Sequence, residues 1–175
     1  PGMPCPKASW RAATARLRAT IMNLLFVCTH NRCRSILAEA VARHLGQEKI
    51  HARSAGSSPA GEVHPLTLRY LAERAIPTDG LRSKGWDEVT EPAPDVVVTV
   101  CDRAAGEACP LWLGAAEKVH WGLADPSAVD GNDIEQRDAF LATIDILESR
   151  IRAVLPLLEA GATPMQLASA MREMH

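Results

Sequence analysis

Aromatic side chains are scarce in this 175-residue chain: two Phe, one Tyr and four Trp, 4% in all. Long apolar runs are missing too. A membrane-spanning helix needs about 18 consecutive apolar residues, and the longest candidates here are short strands such as Val96 to Val100. A membrane is therefore not expected as a partner, and the protein is expected to be soluble and cytoplasmic. There is no surplus of positive charge either, since 19 Lys and Arg stand against 21 Asp and Glu for a formal net charge of -2. Binding nucleic acid or an anionic surface takes a basic face that neutralises phosphates, so nucleic acid is excluded and a small partner is expected. No C-x2-C pair occurs and the six His are scattered singly, which argues against zinc; no metal and no cofactor are expected. The five cysteines, Cys5, Cys28, Cys33, Cys101 and Cys109, are odd in number and follow no secretory signal. A structural disulfide framework is thereby disfavoured, and catalytic or redox use remains.

Acidic residues are also absent from the first 22 positions, which carry Lys7, Arg11, Arg16 and Arg18 among Pro1, Pro4 and Pro6. Without those four cations the body holds 15 basic against 21 acidic residues, a net of -6. The composition is also that of a mitochondrial transit peptide, but residues 1–21 are read here as a dispensable N-terminal extension. One domain is expected over 22–159, starting naturally at Met22, with a C-terminal tail over 160–175 that reads as a linker plus a short helical piece. Within it, short apolar runs alternate with helical periods. Asn23 to Val27 reads as a buried strand, and Ile36, Leu37, Ala40, Val41 and Leu45 as a helix running from Ser35 to a C-cap at Gly46. His51 to Ala55 is a weak second strand, and Pro65 suits the first turn of a helix that Pro77 closes. After a polar stretch from Thr78 to Pro94, Asp95 to Cys101 is the strongest strand, continuous and β-branched as in a parallel interior. Lys118 to Gly122 is the fourth. A long amphipathic helix then shows Phe140, Ile144, Leu147, Ile151 and Leu155 on one face. The expected fold is α/β, a four-stranded parallel sheet with helices on both faces, where ligands sit at the carboxyl ends of strands.

The densest chemistry lies in Cys28-Thr29-His30-Asn31-Arg32-Cys33-Arg34-Ser35, a C-x5-R-S pattern between a strand and a helix. A loop of this length can turn its backbone N–H groups inward as an anion nest, and the following helix adds the positive end of its dipole. Thr29, His30, Asn31, Arg32, Cys33 and Arg34 are thus the candidate oxyanion-binding residues, with Arg34 gripping two oxygens in a bidentate fork. The same field is expected to favour the nucleophilic thiolate of Cys28, to which Ser35 can donate. The Cys33 side chain, Trp86, Trp112 and Trp121 are read as packing, His120 as a satisfied strand residue, and Glu148 and Arg150 as a solvated helix face.

Together with SAGS at Ser54 to Ser57, the VVVTVC strand ending at Cys101, ACP at Ala108 to Pro110 and HWGLADP from His120 to Pro126, this loop resembles the low-molecular-weight protein tyrosine phosphatase superfamily, and more closely its arsenate reductase branch. The resemblance covers roughly Asn23 to Leu157. It implies that Cys28 is the nucleophile, Arg34 the oxyanion ligand and Asp125 the general acid. His30 stands where many relatives carry a small residue, and the pair His30-Asn31 tolerates the positive φ that wrapping an anion requires.

Cys101 and Cys109 separate the two activities the superfamily offers. A phosphatase needs only the loop cysteine and an acid, whereas reducing arsenate consumes two electrons and must leave a disulfide. The resemblance implies a relay in which Cys28 attacks arsenic(V), Cys101 attacks the Cys28 sulfur, and Cys109 moves the disulfide to where an external thiol donor reaches it. That donor is thioredoxin or glutathione with glutaredoxin. Fully extended, Cys101 to Cys109 spans up to ~27 Å and a disulfide needs Cα atoms within about 7 Å, so the segment must fold back. The runner-up is a tyrosine phosphatase, whose phenol-receiving aromatic walls are missing, because Ser127-Ala128 follows Asp125-Pro126. A third reading is a non-catalytic oxyanion sensor, for which an acid at Asp125 has no use.

Overall fold

The computed structural model describes residues 20–107 and 114–174. Cys5, Trp112 and Cys109 lie outside these residues. Four strands form a fully parallel sheet: β1 (Met22–Cys28), β2 (Ile50–Gly56), β3 (Val96–Thr99) and β4 (Glu117–His120), in the order β2-β1-β3-β4. The two central strands are apolar on both sides, with Leu24 to Val27 and Val96 to Val98 all buried. That is the continuous burial that a parallel sheet covered on both faces demands. Asn23 starts β1 in register with β3 by donating its backbone N–H and its side-chain amide to Asp95 Oδ2, at 2.8 and 3.0 Å.

Helices α1 (Arg34–Gly46), α2 (Pro65–Glu73), α3 (Asp102–Gly106), α4 (Asp133–Glu159) and α5 (Pro164–Arg172) complete the fold. From Ser35 to Ala42 every residue of α1 is buried, because the helix is wedged between β1–β2 and α4. Its alternating alanines keep those neighbours close. The α4 helix begins in a reciprocal cap between Asn132 and Glu135 and buries Phe140, Ile144, Leu147, Ile151 and Val154. Val154 holds the position expected of Leu155, which is half-buried. The α2 helix stops at Glu73, short of Pro77, where Ala75 takes a φ of +54°. None of the described helices is long and apolar enough to cross a membrane.

Two further stretches are integral to the fold. The polar stretch from Thr78 to Pro94 is pinned to β2 by Arg53, whose guanidinium donates to the carbonyls of Val89 (2.8 Å), Glu91 (2.9 Å) and Pro92. The segment read as a tail forms α5, whose Leu167, Ala168 and Met171 enter the same core. The indole of Trp121 donates to the Met171 carbonyl at 2.9 Å.

The strand order reverses between β1 and β3, and the crevice at the carboxyl ends of those neighbours is where an α/β sheet binds its ligand. Val100 N donates to Val27 O at 2.9 Å. That bond brings the two strand ends, and with them Cys28 and Cys101, to the same edge.

Candidate active site

The loop between β1 and α1 is shaped from outside. The carbonyls of Thr29, His30 and Arg32 accept, each at 2.9 Å, from the N–H groups of Ser58, Ala60 and His64. In a trans peptide the following N–H points the opposite way, so the N–H groups of His30, Asn31 and Cys33 face the inside of the loop. Inward N–H groups of this kind suit an anion, and α1 begins at Arg34 with its dipole directed towards them. The positive φ falls on Asn31, at +43°. The neighbouring His30 is exposed and its ring approaches the Ser58 carbonyl at 3.2 Å. Gly56 closes the back: a Cβ there would meet Thr29 O at 2.6 Å and Asn31 N at 3.0 Å.

Beneath the loop lies a polar network that sequence reasoning missed. Lys84 N donates to Asn31 Oδ1 at 2.8 Å, which fixes the amide so that Nδ2 donates to Ser35 Oγ (2.8 Å) and Ser54 Oγ (2.9 Å). Because Ser35 Oγ accepts from Asn31, its own proton is directed at Cys28 Sγ, 2.8 Å away. Ser54 in turn donates to Glu39, whose Oε2 also receives Lys84 Nζ at 3.2 Å. Arg43 meets the other Glu39 oxygen as an ion pair rather than as an aligned hydrogen bond. The Glu39 side chain is 0% exposed and that of Lys84 7%. Burial pushes the Lys84 ammonium below its ordinary value, and the Glu39 charge and hydrogen bond oppose that shift.

Above the loop, Arg34 and Asp125 meet. Arg34 Nη2 donates to Asp125 Oδ2 at 3.0 Å and Nη1 to the Leu123 carbonyl at 3.1 Å, so the fork that would grip an oxyanion is engaged by the loop after β4. The other Asp125 oxygen accepts from Ser127 N (3.0 Å) and Ser127 Oγ (2.6 Å). Cys101 caps α3, where its Sγ accepts from Ala104 N at 3.4 Å and lies 3.8 Å from Thr29 Oγ1. Thr29, His30, Arg34, Cys101, Asp102, Arg103 and Asp125 line an open cleft of about 310 Å³. A larger one, about 550 Å³, shares none of these residues and lies among Lys118, His120, Arg150 and Arg172.

Of the remaining sequence candidates, Cys33 is 3% exposed and burial pushes its thiol up to about 12. It is a packed thiol at neutral pH rather than a nucleophile. Arg32 contributes its carbonyl to His64 and Thr67, while its side-chain Nε is buried without a partner among the described residues. His120 is satisfied by Thr99 (2.9 Å) and Asp102 (3.1 Å). Arg150 departs from the solvated face expected of it: its guanidinium lies 5.4 Å from the Trp121 ring centre. No group of three metal-ligating side chains occurs among the described residues.

Comparison with known proteins agrees with this geometry. Residues 23–163 match the family model described as low molecular weight phosphotyrosine protein phosphatase. Among curated relatives, an arsenate reductase of Halalkalibacterium halodurans is 33% identical over 129 residues, covering 74% of this chain and 91% of that protein. One of Bacillus subtilis is 32% identical over 131 residues, with the same coverage. Among solved structures, an arsenate reductase in the phosphate binding state superimposes with a TM-score of 0.65 at 26% identity, covering 79% of this chain and 99% of that one. A thioredoxin-dependent arsenate reductase of Corynebacterium glutamicum gives 0.60 at 28%, covering 83% and 66%. With the loop, the sheet order and these matches in agreement, the chain belongs to the low molecular weight phosphotyrosine protein phosphatase family.

Proposed function

We propose that this chain reduces arsenate to arsenite. The observation that carries the reading is a second buried thiol at the nucleophile's own loop: Cys101 Sγ lies 3.8 Å from Thr29 Oγ1. Phosphate-ester hydrolysis has no use for it. Cys28, with the Ser35 hydroxyl at its sulfur, attacks arsenic(V) while the inward N–H groups and Arg34 hold the oxygens. Asp125 protonates the departing oxygen, and the oxyanion takes over the Arg34 fork as it enters. Cys101 then attacks the Cys28 sulfur and releases arsenite, and Cys109 receives the disulfide. The relatives named as arsenate reductases support the substrate. The thioredoxin-dependent relative supports thioredoxin as donor over glutathione with glutaredoxin.

The cleft lining also supports a small inorganic oxyanion. Among the described residues, no Phe, Tyr or Trp lines it, so these residues offer a phosphotyrosine ring no wall to stack on. Phosphatase activity is the second reading, because Cys28, Arg34 and Asp125 would suffice for it. The test is arsenite formation by the purified protein with thioredoxin and its reductase, or with glutathione and glutaredoxin, alongside p-nitrophenyl phosphate hydrolysis. Turnover of arsenate with either donor is expected. Hydrolysis alone would leave the phosphatase reading.

A further inference from the structure

Attack by Cys101 requires its thiolate, and a side chain only 2% exposed cannot hand its proton directly to bulk water. Two contacts provide a route. Cys101 Sγ lies 3.8 Å from the Thr29 hydroxyl, and that hydroxyl donates to Glu107 Oε1 at 3.4 Å. With the Thr29 proton committed to the carboxylate, the Thr29 oxygen is left to accept from the Cys101 S–H. The second Glu107 oxygen, Oε2, is buried and has no hydrogen-bond partner among the described residues. A buried oxygen without a donor is costly, and structures tolerate one most readily where chemistry uses it.

Resting on the reductase reading, the geometry points to Glu107 as the proton acceptor for Cys101, acting through the Thr29 hydroxyl. As the Cys101 sulfur attacks Cys28, its proton passes to Thr29 Oγ1 and the Thr29 proton to Glu107 Oε1. The bond formed is the Cys28–Cys101 disulfide. The bond broken is Cys28 sulfur to arsenic, whose electron pair stays on arsenic and takes it from +5 to +3 while the two sulfurs are oxidised. The Ala104 N–H, donating to Cys101 Sγ at 3.4 Å, holds the sulfur as its charge develops. Contacts of this length tighten once substrate occupies a site.

The test is single-turnover reaction of the reduced protein with arsenate, quenched and mapped for the Cys28–Cys101 disulfide from about pH 6 to 9, across the ordinary range of thiol ionisation. Wild type, Glu107→Gln and Glu107→Asp are compared, and p-nitrophenyl phosphate hydrolysis by each preparation reads the Cys28 step separately. Relative to that step, Glu107→Gln slows disulfide formation about 10²-fold near neutral pH, the lower end of a general-base contribution. The deficit shrinks as pH rises and hydroxide takes over the acceptor's part, and Glu107→Asp recovers part of the rate. Thr29→Val reproduces the loss and Thr29→Ser, which keeps the hydroxyl, does not. Equal rates and parallel pH profiles for wild type and Glu107→Gln overturn the role of Glu107 and leave the reductase reading standing. Failure of the wild type itself to form the disulfide overturns the reductase reading, and this role with it.

Discussion

The underside and the mouth of the nucleophile loop are built on different principles. Below, Asn31, Ser35, Ser54, Glu39 and Lys84 are buried and joined by hydrogen bonds that are mostly 2.8 to 3.3 Å long. Above, Thr29 reaches Glu107 and Cys101 at 3.4 and 3.8 Å, and Arg34 and Asp125 pair with side chains 21% and 32% exposed. A polar network sealed from water is rigid when its members are satisfied and costly when one is removed. An exposed ion pair is screened and exchanges partners readily. The contrast teaches that the loop's shape is set from below, which under the proposed function leaves the mouth free to exchange Asp125 for a substrate oxygen and to advance Cys101.

Substitutions on both sides of the loop test this division. The largest effect is expected from Cys28→Ser, which lowers both arsenite formation and p-nitrophenyl phosphate hydrolysis by at least about 10⁴-fold, as removing a nucleophile does elsewhere; steady-state kinetics on both substrates would show it. Next, Lys84→Met leaves the buried Glu39 carboxylate with Arg43 as its remaining cation and is expected to cost roughly 3 kcal/mol of unfolding free energy, the low end for breaking a buried pair. Urea denaturation measures this, and adding Glu39→Gln recovers part of it. Glu107→Gln, in the mouth, shifts the same curve by about 0.5 kcal/mol or less, and equal losses at the two sites would erase the contrast. Asp125→Asn lowers kcat for p-nitrophenyl phosphate about 10²-fold; an unchanged kcat would place the proton donor elsewhere.

The smallest effect is a dependence on pH. His64 caps α2 by accepting from Leu66 N at 3.2 Å, and burial, then the Arg32 charge, hold its ring below the ordinary 6.5. The folded chain thus binds this proton more weakly than the unfolded one. Its contribution is complete above pH 6.5 and is lost as pH falls through that value towards the lower folded-state pKa. His51 shifts in the same direction, so His64→Asn, a cap that does not titrate, is expected to flatten only part of the slope. The amplitude is about 1 kcal/mol, the worth of a cap, and denaturation at a series of pH values reads it.

What could be read from the sequence was local. The run from Cys28 to Ser35 lies between a β-branched strand and a periodic helix, and Asp125-Pro126 follows the last strand closely, so each could be recognised without knowing what folds against it. Lys84 could not: it sits in a polar stretch without periodicity, and the bridge between Gly56 and Gly85 that carries it under the loop leaves no mark in composition. Glu39 left a faint trace, as a charge among alanines one helical turn after Ser35. The capping box Thr163-Pro164-Met165-Gln166 was a legible helix start, but what α5 covers depends on Trp121, some 40 residues earlier. The engagement of Arg34 by Asp125 belongs to tertiary geometry alone.

The buried thiol of Cys33 has a consequence for fidelity. It stands five positions after Cys28, in the same loop, where under the proposed relay an ionised sulfur would compete with Cys101 for the arsenic adduct and trap the protein in a bridge from which the relay does not proceed. Thiolate character governs both exchange and oxidation, and burial pushes this thiol up to about 12. The insulation of one cysteine therefore keeps the oxidation of another on a single course.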